Sequence, residues 1–134
     1  MSTFEIHEGF LAHDNTNILP VRKCESEQQY EGKEDEQISI CCYHLEGYLK
    51  TLLKKYYSDN VQIGNYKVID GYDEFGWNFY TPEQIQNILT DLEKYIESHD
   101  TSAEEIDFYN RFVIRIKQML KNMDGYDLIL FCGP

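Results

Sequence analysis

Two capping boxes in the second half constrain this chain more than any other feature. In Thr81-Pro82-Glu83-Gln84 the threonine hydroxyl can accept from the backbone N–H of Gln84 while the Gln84 side chain reaches back to residue 81. Pro82 falls at the first helical position, where its missing N–H costs nothing. Glu83 places a negative charge in the first turn, which the helix dipole favours. The spacing of Ile85, Ile88, Leu89, Leu92 and Ile96 predicts a helix from there to about Ser98. Ser102-Ala103-Glu104-Glu105 repeats the device and predicts a third helix to about Asn122, burying Ile106, Tyr109, Phe112 or Val113, Ile116, Leu120 and Met119. Asp124-Gly125 stops it. Residues 126–132 are nearly all apolar and read as a fully buried final strand, whose removal would unfold the domain.

The first half is patterned less strongly. Residues 3–7 alternate, which predicts a strand with Phe4 and Ile6 on one face. Asp14, Asn15 and Asn17 mark a loop. Residues 18–23 suit a second strand, which Pro20 relegates to a sheet edge. Residues 25–36 hold six acids against Lys33 and read as a solvated loop. Cys41, Leu45, Tyr48, Leu49, Leu52, Leu53 and Tyr56 recur at helical spacing, predicting one long helix over 37–57 with Lys50, Lys54 and Lys55 toward its C-terminal end. Gly47 inside it costs about 1 kcal/mol relative to alanine, which fits a close contact or a tolerated surface glycine equally. Residues 61–69 look like β-structure with Gly64-Asn65 as a hairpin turn, and Asp70-Gly71 is a second turn. Residues 75–80 are rich in strand formers and hold the single Trp77, with Trp77 and Phe79 expected to anchor the second helix. The sum is an α+β fold: one domain over 1–134, a small, mainly antiparallel sheet with three packed helices.

Charge limits what such a domain can touch. Its 24 acids against 12 Lys and Arg give a formal net charge of -12. A field of that sign repels nucleic-acid phosphate and anionic lipid and attracts basic surfaces. No run of about 18 apolar residues occurs, so no membrane span is expected. Residues 1–10 contain Glu5 and Glu8 and no continuous apolar stretch, so no signal peptide is expected. Cys24, Cys41, Cys42 and Cys132 show no CxxC spacing and read as reduced thiols of a cytoplasmic protein. Eleven tyrosines suit the rim of a core, their hydroxyls reaching water.

Catalytic signatures are missing from the pattern. There is no G-x-S-x-G, no phosphate-cradling glycine loop and no H-E-x-x-H. Cys41 and His44 form the one close Cys/His pair, expected on the long helix; the other candidates (Cys24, His7, His13, His99, Cys132) are scattered, so no metal and no cofactor is expected. Acids cluster at Asp70, Asp73 and Glu74 and again at Glu104, Glu105 and Asp107, and read as solvated faces rather than acid–base pairs. The segment 70–80 combines acids with aromatic residues, a composition that grips arginine-rich partners.

Trp77-Asn78-Phe79-Tyr80-Thr81-Pro82-Glu83-Gln84 resembles the W-N-[YF]-Y-T-P-E-Q motif of small uncharacterised bacterial proteins, and the apolar end Leu128-Ile129-Leu130-Phe131-Cys132-Gly133-Pro134 matches their terminal strand. The resemblance covers residues 72–134. Those proteins are similar in size, acidity and lack of catalytic motifs to the immunity proteins of bacterial toxin systems. It implies no assigned functional residues.

The expected function is therefore a non-enzymatic, cytoplasmic, acidic binding protein. In its most concrete form it is an immunity protein that neutralises a basic toxin domain, such as a nuclease, by occluding its active cleft. The expected contacts are Glu31, Glu34, Asp35, Glu36, Asp70, Tyr72, Asp73 and Glu74, their carboxylates gathered on one exposed surface. Nucleic acid and membrane are not expected partners. Two other classes compete: a small hydrolase whose site is assembled from dispersed acids and histidines, and a regulatory homo-oligomer that buries its tyrosine-rich face.

Overall fold

The computed structural model describes residues 6–8, 14–23, 30–57, 62–63, 66–67, 71–98 and 101–134. Among these, β1 (Ile6–Glu8), β4 (Ile38–Cys41), β2 (Asn15–Lys23), β8 (Leu128–Cys132) and β7 (Trp77–Tyr80) lie side by side in that order. β3 (Tyr30–Gly32) is the sixth strand of this sheet and also pairs with β2. Every pairing is antiparallel. A second pair, β5 (Gln62–Ile63) and β6 (Tyr66–Lys67), sets Ile63 opposite Tyr66; the Gly64-Asn65 turn expected between them lies outside the described residues. Helices α1 (Tyr48–Tyr56), α2 (Pro82–Ser98) and α3 (Ala103–Lys121) complete the α+β domain.

Period-two alternation sorts the strands between two cores. Ile18, Ile38, Ile40, Tyr80, Ile129 and Phe131 point to one face and meet the helices. Leu19, Val21, Phe79, Leu128 and Leu130 form a smaller cluster on the other face, with Tyr30, Trp77 and Cys132 against it. Trp77 and Phe79 therefore do not anchor the second helix. Their neighbour Tyr80 faces the helical side, its hydroxyl donating to the Leu53 carbonyl of α1 at 2.7 Å. Tyr30 meets Trp77 edge-on at 5.1 Å, a T-shaped contact that closes part of the second cluster.

The first capping box closes in both directions, and the second forms only its serine half. Gln84 N–H donates to Thr81 Oγ1 at 3.2 Å and Thr81 N–H donates to Gln84 Oε1 at 2.8 Å. Glu105 N–H donates to Ser102 Oγ at 3.2 Å. The buried stripes are Ile85, Ile88, Leu89 and Leu92 on α2, and Phe108, Tyr109, Phe112, Val113, Ile116 and Met119 on α3. Replacing Thr81 by alanine orphans the Gln84 N–H and should cost about 1 kcal/mol. A urea midpoint that does not move would show the cap to be idle.

Four sequence expectations are corrected. The long helix over 37–57 breaks into β4, a 3-10 turn (Cys42–Leu45) and α1. The break falls at Gly47, whose φ of 93° lies in the left-handed region that a helix interior excludes and glycine tolerates. Cys41 and His44 consequently do not share a helix. Pro20 sits inside the central strand β2, not on an edge. Its carbonyl accepts from Lys33 N–H at 2.8 Å, on the side where β4 ends opposite Ile18 and β3 begins opposite Val21. The proline nitrogen faces this gap between two partner strands, where no ladder donor is required. Asn15 and Asn17, read as loop, belong to the same strand. Finally, the solvated loop over 25–36 contains β3 and a 3-10 turn (Glu34–Glu36), while 25–29 lie outside the described residues.

Candidate functional site

Residues 71–76 lead into β7 and form an unusually well-braced turn. Asp73 Oδ1 accepts from the Phe75 N–H at 3.0 Å, and Gly76 N–H donates to the Asp73 carbonyl at 3.0 Å. Beneath them Asn78 is buried. Its Oδ1 accepts from Asp73 N–H at 2.8 Å, and its Nδ2 donates to Asp73 O at 2.6 Å and to Phe131 O at 3.3 Å. The C-terminus adds a platform. Gly133 N–H donates to Gly76 O at 2.8 Å. A Cβ on Gly133 would meet the Glu74 carbonyl and come within 2.8 Å of Phe75 Cα, so the close approach requires glycine.

This turn faces α1 across a groove of about 420 Å³, with Lys50 and Lys54 on the helix side and residues 71–75 on the other. Lys50 Nζ is held between Glu74 Oε2 at 2.6 Å and Glu46 Oε1 at 3.1 Å. The Glu74 and then the Glu46 carboxylate raise its pKa. Tyr72 packs against the core and meets Tyr57 edge-on at 6.5 Å. Burial, chiefly, pushes its hydroxyl up to about 12. At the tip Phe75 is 66% exposed; Phe75 and Ile114 are the exposed large apolar side chains among the described residues.

The expected contact residues divide into two groups. Tyr72, Asp73 and Glu74 line the groove together. Asp70 lies outside the described residues. Glu31, Glu34, Asp35 and Glu36 are not in the groove; they belong to β3 and the 3-10 turn beside β2. Glu31 is paired with Arg22, Nε to Oε2 at 2.9 Å, across the β2–β3 ladder. Glu36 ties this segment to α3, accepting from Asn122 Nδ2 at 3.2 Å while its backbone carbonyl accepts from Arg115 at 3.1 Å. Glu34 and Asp35 are exposed. Burial, and then the charges of Cys132 and Glu34, raise the Tyr30 hydroxyl.

Exposed carboxylates stand on several elements of the fold. Exposed acids also stand at Glu83 on α2, Glu104 on α3 and Asp124 in the turn before β8. Among the described residues no three His, Cys, Asp or Glu side chains lie close enough together to hold a metal. No helix among them is long and apolar enough to cross a membrane. The groove presents the exposed Phe75 ring, the Asp73 carboxylate, the exposed Lys54 and a second lysine, Lys50, held between two carboxylates.

Sequence reasoning reached Tyr72, Asp73 and Glu74 but passed over the braces. Asn78 looked like one more polar residue in a strand and Gly133 like a terminal glycine; their roles need a contact between segments far apart in the chain. No protein-family model, curated protein or solved structure matches this chain.

Proposed function

We propose that this chain is a non-enzymatic acidic binding protein that neutralises a cationic protein domain, in the manner of an immunity protein covering the active cleft of a toxin nuclease. The observation that carries this reading is the surplus of 24 acids over 12 Lys and Arg, with exposed carboxylates on several elements of the fold. Spread in this way, the charge acts at long range. It raises the encounter rate with a basic surface and turns the complex toward a nucleic-acid-binding face, while leaving the contact to other groups. The same field disfavours nucleic acid itself.

The test is association with purified basic nuclease domains of bacterial toxins, with acidic domains as controls. The reading expects one basic domain to bind and lose its nuclease activity. It also expects the association rate to fall about tenfold or more between low salt and about 0.3 M, as screening shortens the reach of the field. Failure to inhibit any basic domain, or a rate indifferent to ionic strength, would overturn it.

A further inference from the structure

We propose that residues 71–75 are a preorganised docking knob, with Phe75 as the anchor that enters an apolar socket on a cationic protein surface. The inference rests on the reading above and adds where, and through which side chain, the partner is held.

Burying a lone exposed phenylalanine ring gains apolar area, but ordering a loop to present it usually cancels part of that gain. Here the ordering is already done. The Asp73 side chain holds the Phe75 N–H, Asn78 holds both backbone groups of Asp73, and Gly133 packs under the Glu74–Phe75 peptide. Phenylalanine is among the aromatic residues enriched at protein interfaces, and a backbone already braced lowers the cost of presenting it. The groove beside the ring is large enough to admit a partner side chain. Its charges favour a cation over an anion. Lys50 is held by Glu46 and Glu74, so among the described lining residues Lys54 is the cation left to oppose a guest cation, against Asp73 and the net charge of -12.

The other exposed apolar side chain, Ile114, provides the contrast. It stands on α3 between Arg111 and Lys117 at i−3 and i+3, which are paired with Asp107 and Glu93, and among the described residues it has no braced turn beneath it and no groove beside it that carries surplus carboxylate.

The test selects binders from a random peptide library displayed on phage, because such selections converge on surfaces already disposed to bind. Selected peptides are expected to carry Arg or Lys beside a large apolar residue. Phe75→Ala should weaken them about tenfold or more, and Ile114→Ala should not. Asp73→Asn keeps the acceptor for Phe75 N–H and removes only the charge, so it should weaken binding about two- to fivefold and flatten the salt dependence. Unchanged thermal unfolding of Phe75→Ala shows that the fold is not the cause. Peptides that are basic but insensitive to Phe75→Ala, or a selection yielding no binder, would overturn the knob and leave the acidic-binder reading standing. Peptides sensitive to Phe75→Ala but lacking cations would place the knob correctly and overturn the cationic partner.

Discussion

Phe131→Ala is expected to destabilise the domain by about 3–5 kcal/mol. Phe131 is 1% exposed in the central strand β8, opposite Ile18 on β2 and Asn78 on β7, and meets Tyr80 edge-on at 5.3 Å. Alanine leaves a ring-sized cavity where the sheet meets the helices, and strands paired on both sides cannot close over it. Single domains of this size are stable by only about 5–15 kcal/mol, so the loss consumes a large share. Urea unfolding should show a lower midpoint with an unchanged slope. A loss below about 1 kcal/mol would mean that this side chain does not pack as described.

Asn78→Ala should cost about 2–4 kcal/mol, for a different reason. The asparagine is 1% exposed and satisfies the N–H and carbonyl of Asp73 together with the Phe131 carbonyl. Alanine takes that partner from the part-buried Asp73 N–H and from the buried Phe131 carbonyl, while the Asp73 carbonyl keeps the Gly76 N–H, so the penalty combines desolvation with lost attraction. Hydrogen exchange should then quicken at the Asp73, Phe75 and Gly76 amides before it quickens in α2 or α3. Equal quickening throughout would show that Asn78 supports the whole sheet rather than the turn. This variant should also weaken the selected peptides, although Phe75 is untouched, because the turn that presents the ring loses its brace.

Some of this architecture could be read locally. α2 and α3 begin where their caps stand, because a capping box is completed by residues three apart. β8 was legible from a run of apolar residues too short for a helix between a turn and the final Gly-Pro. The helical spacing in 37–57 misled because Leu45 and Cys41 continue the register of α1 by coincidence, while the alternation of Ile38 and Ile40 was the true strand signal. Of the candidate site, composition revealed Tyr72, Asp73 and Glu74. It could not reveal that Glu31 and Glu36 are engaged by Arg22 and Arg115, since those arginines arrive from another strand and another helix.

The sequence by itself determined the helix starts, the apolar strand that closes the fold and the sign of the molecule's field, because each depends on neighbouring residues or on a sum over all of them. Tertiary structure alone decided that Pro20 could occupy a central strand, that Trp77 and Phe79 turn away from the helices, and that Asn78 and Gly133 both brace the turn that carries Phe75. Those outcomes depend on which backbone groups remain unpaired once strands have chosen their neighbours, and that choice is made between segments up to a hundred or so residues apart, where loop closure and shared burial outweigh local preference.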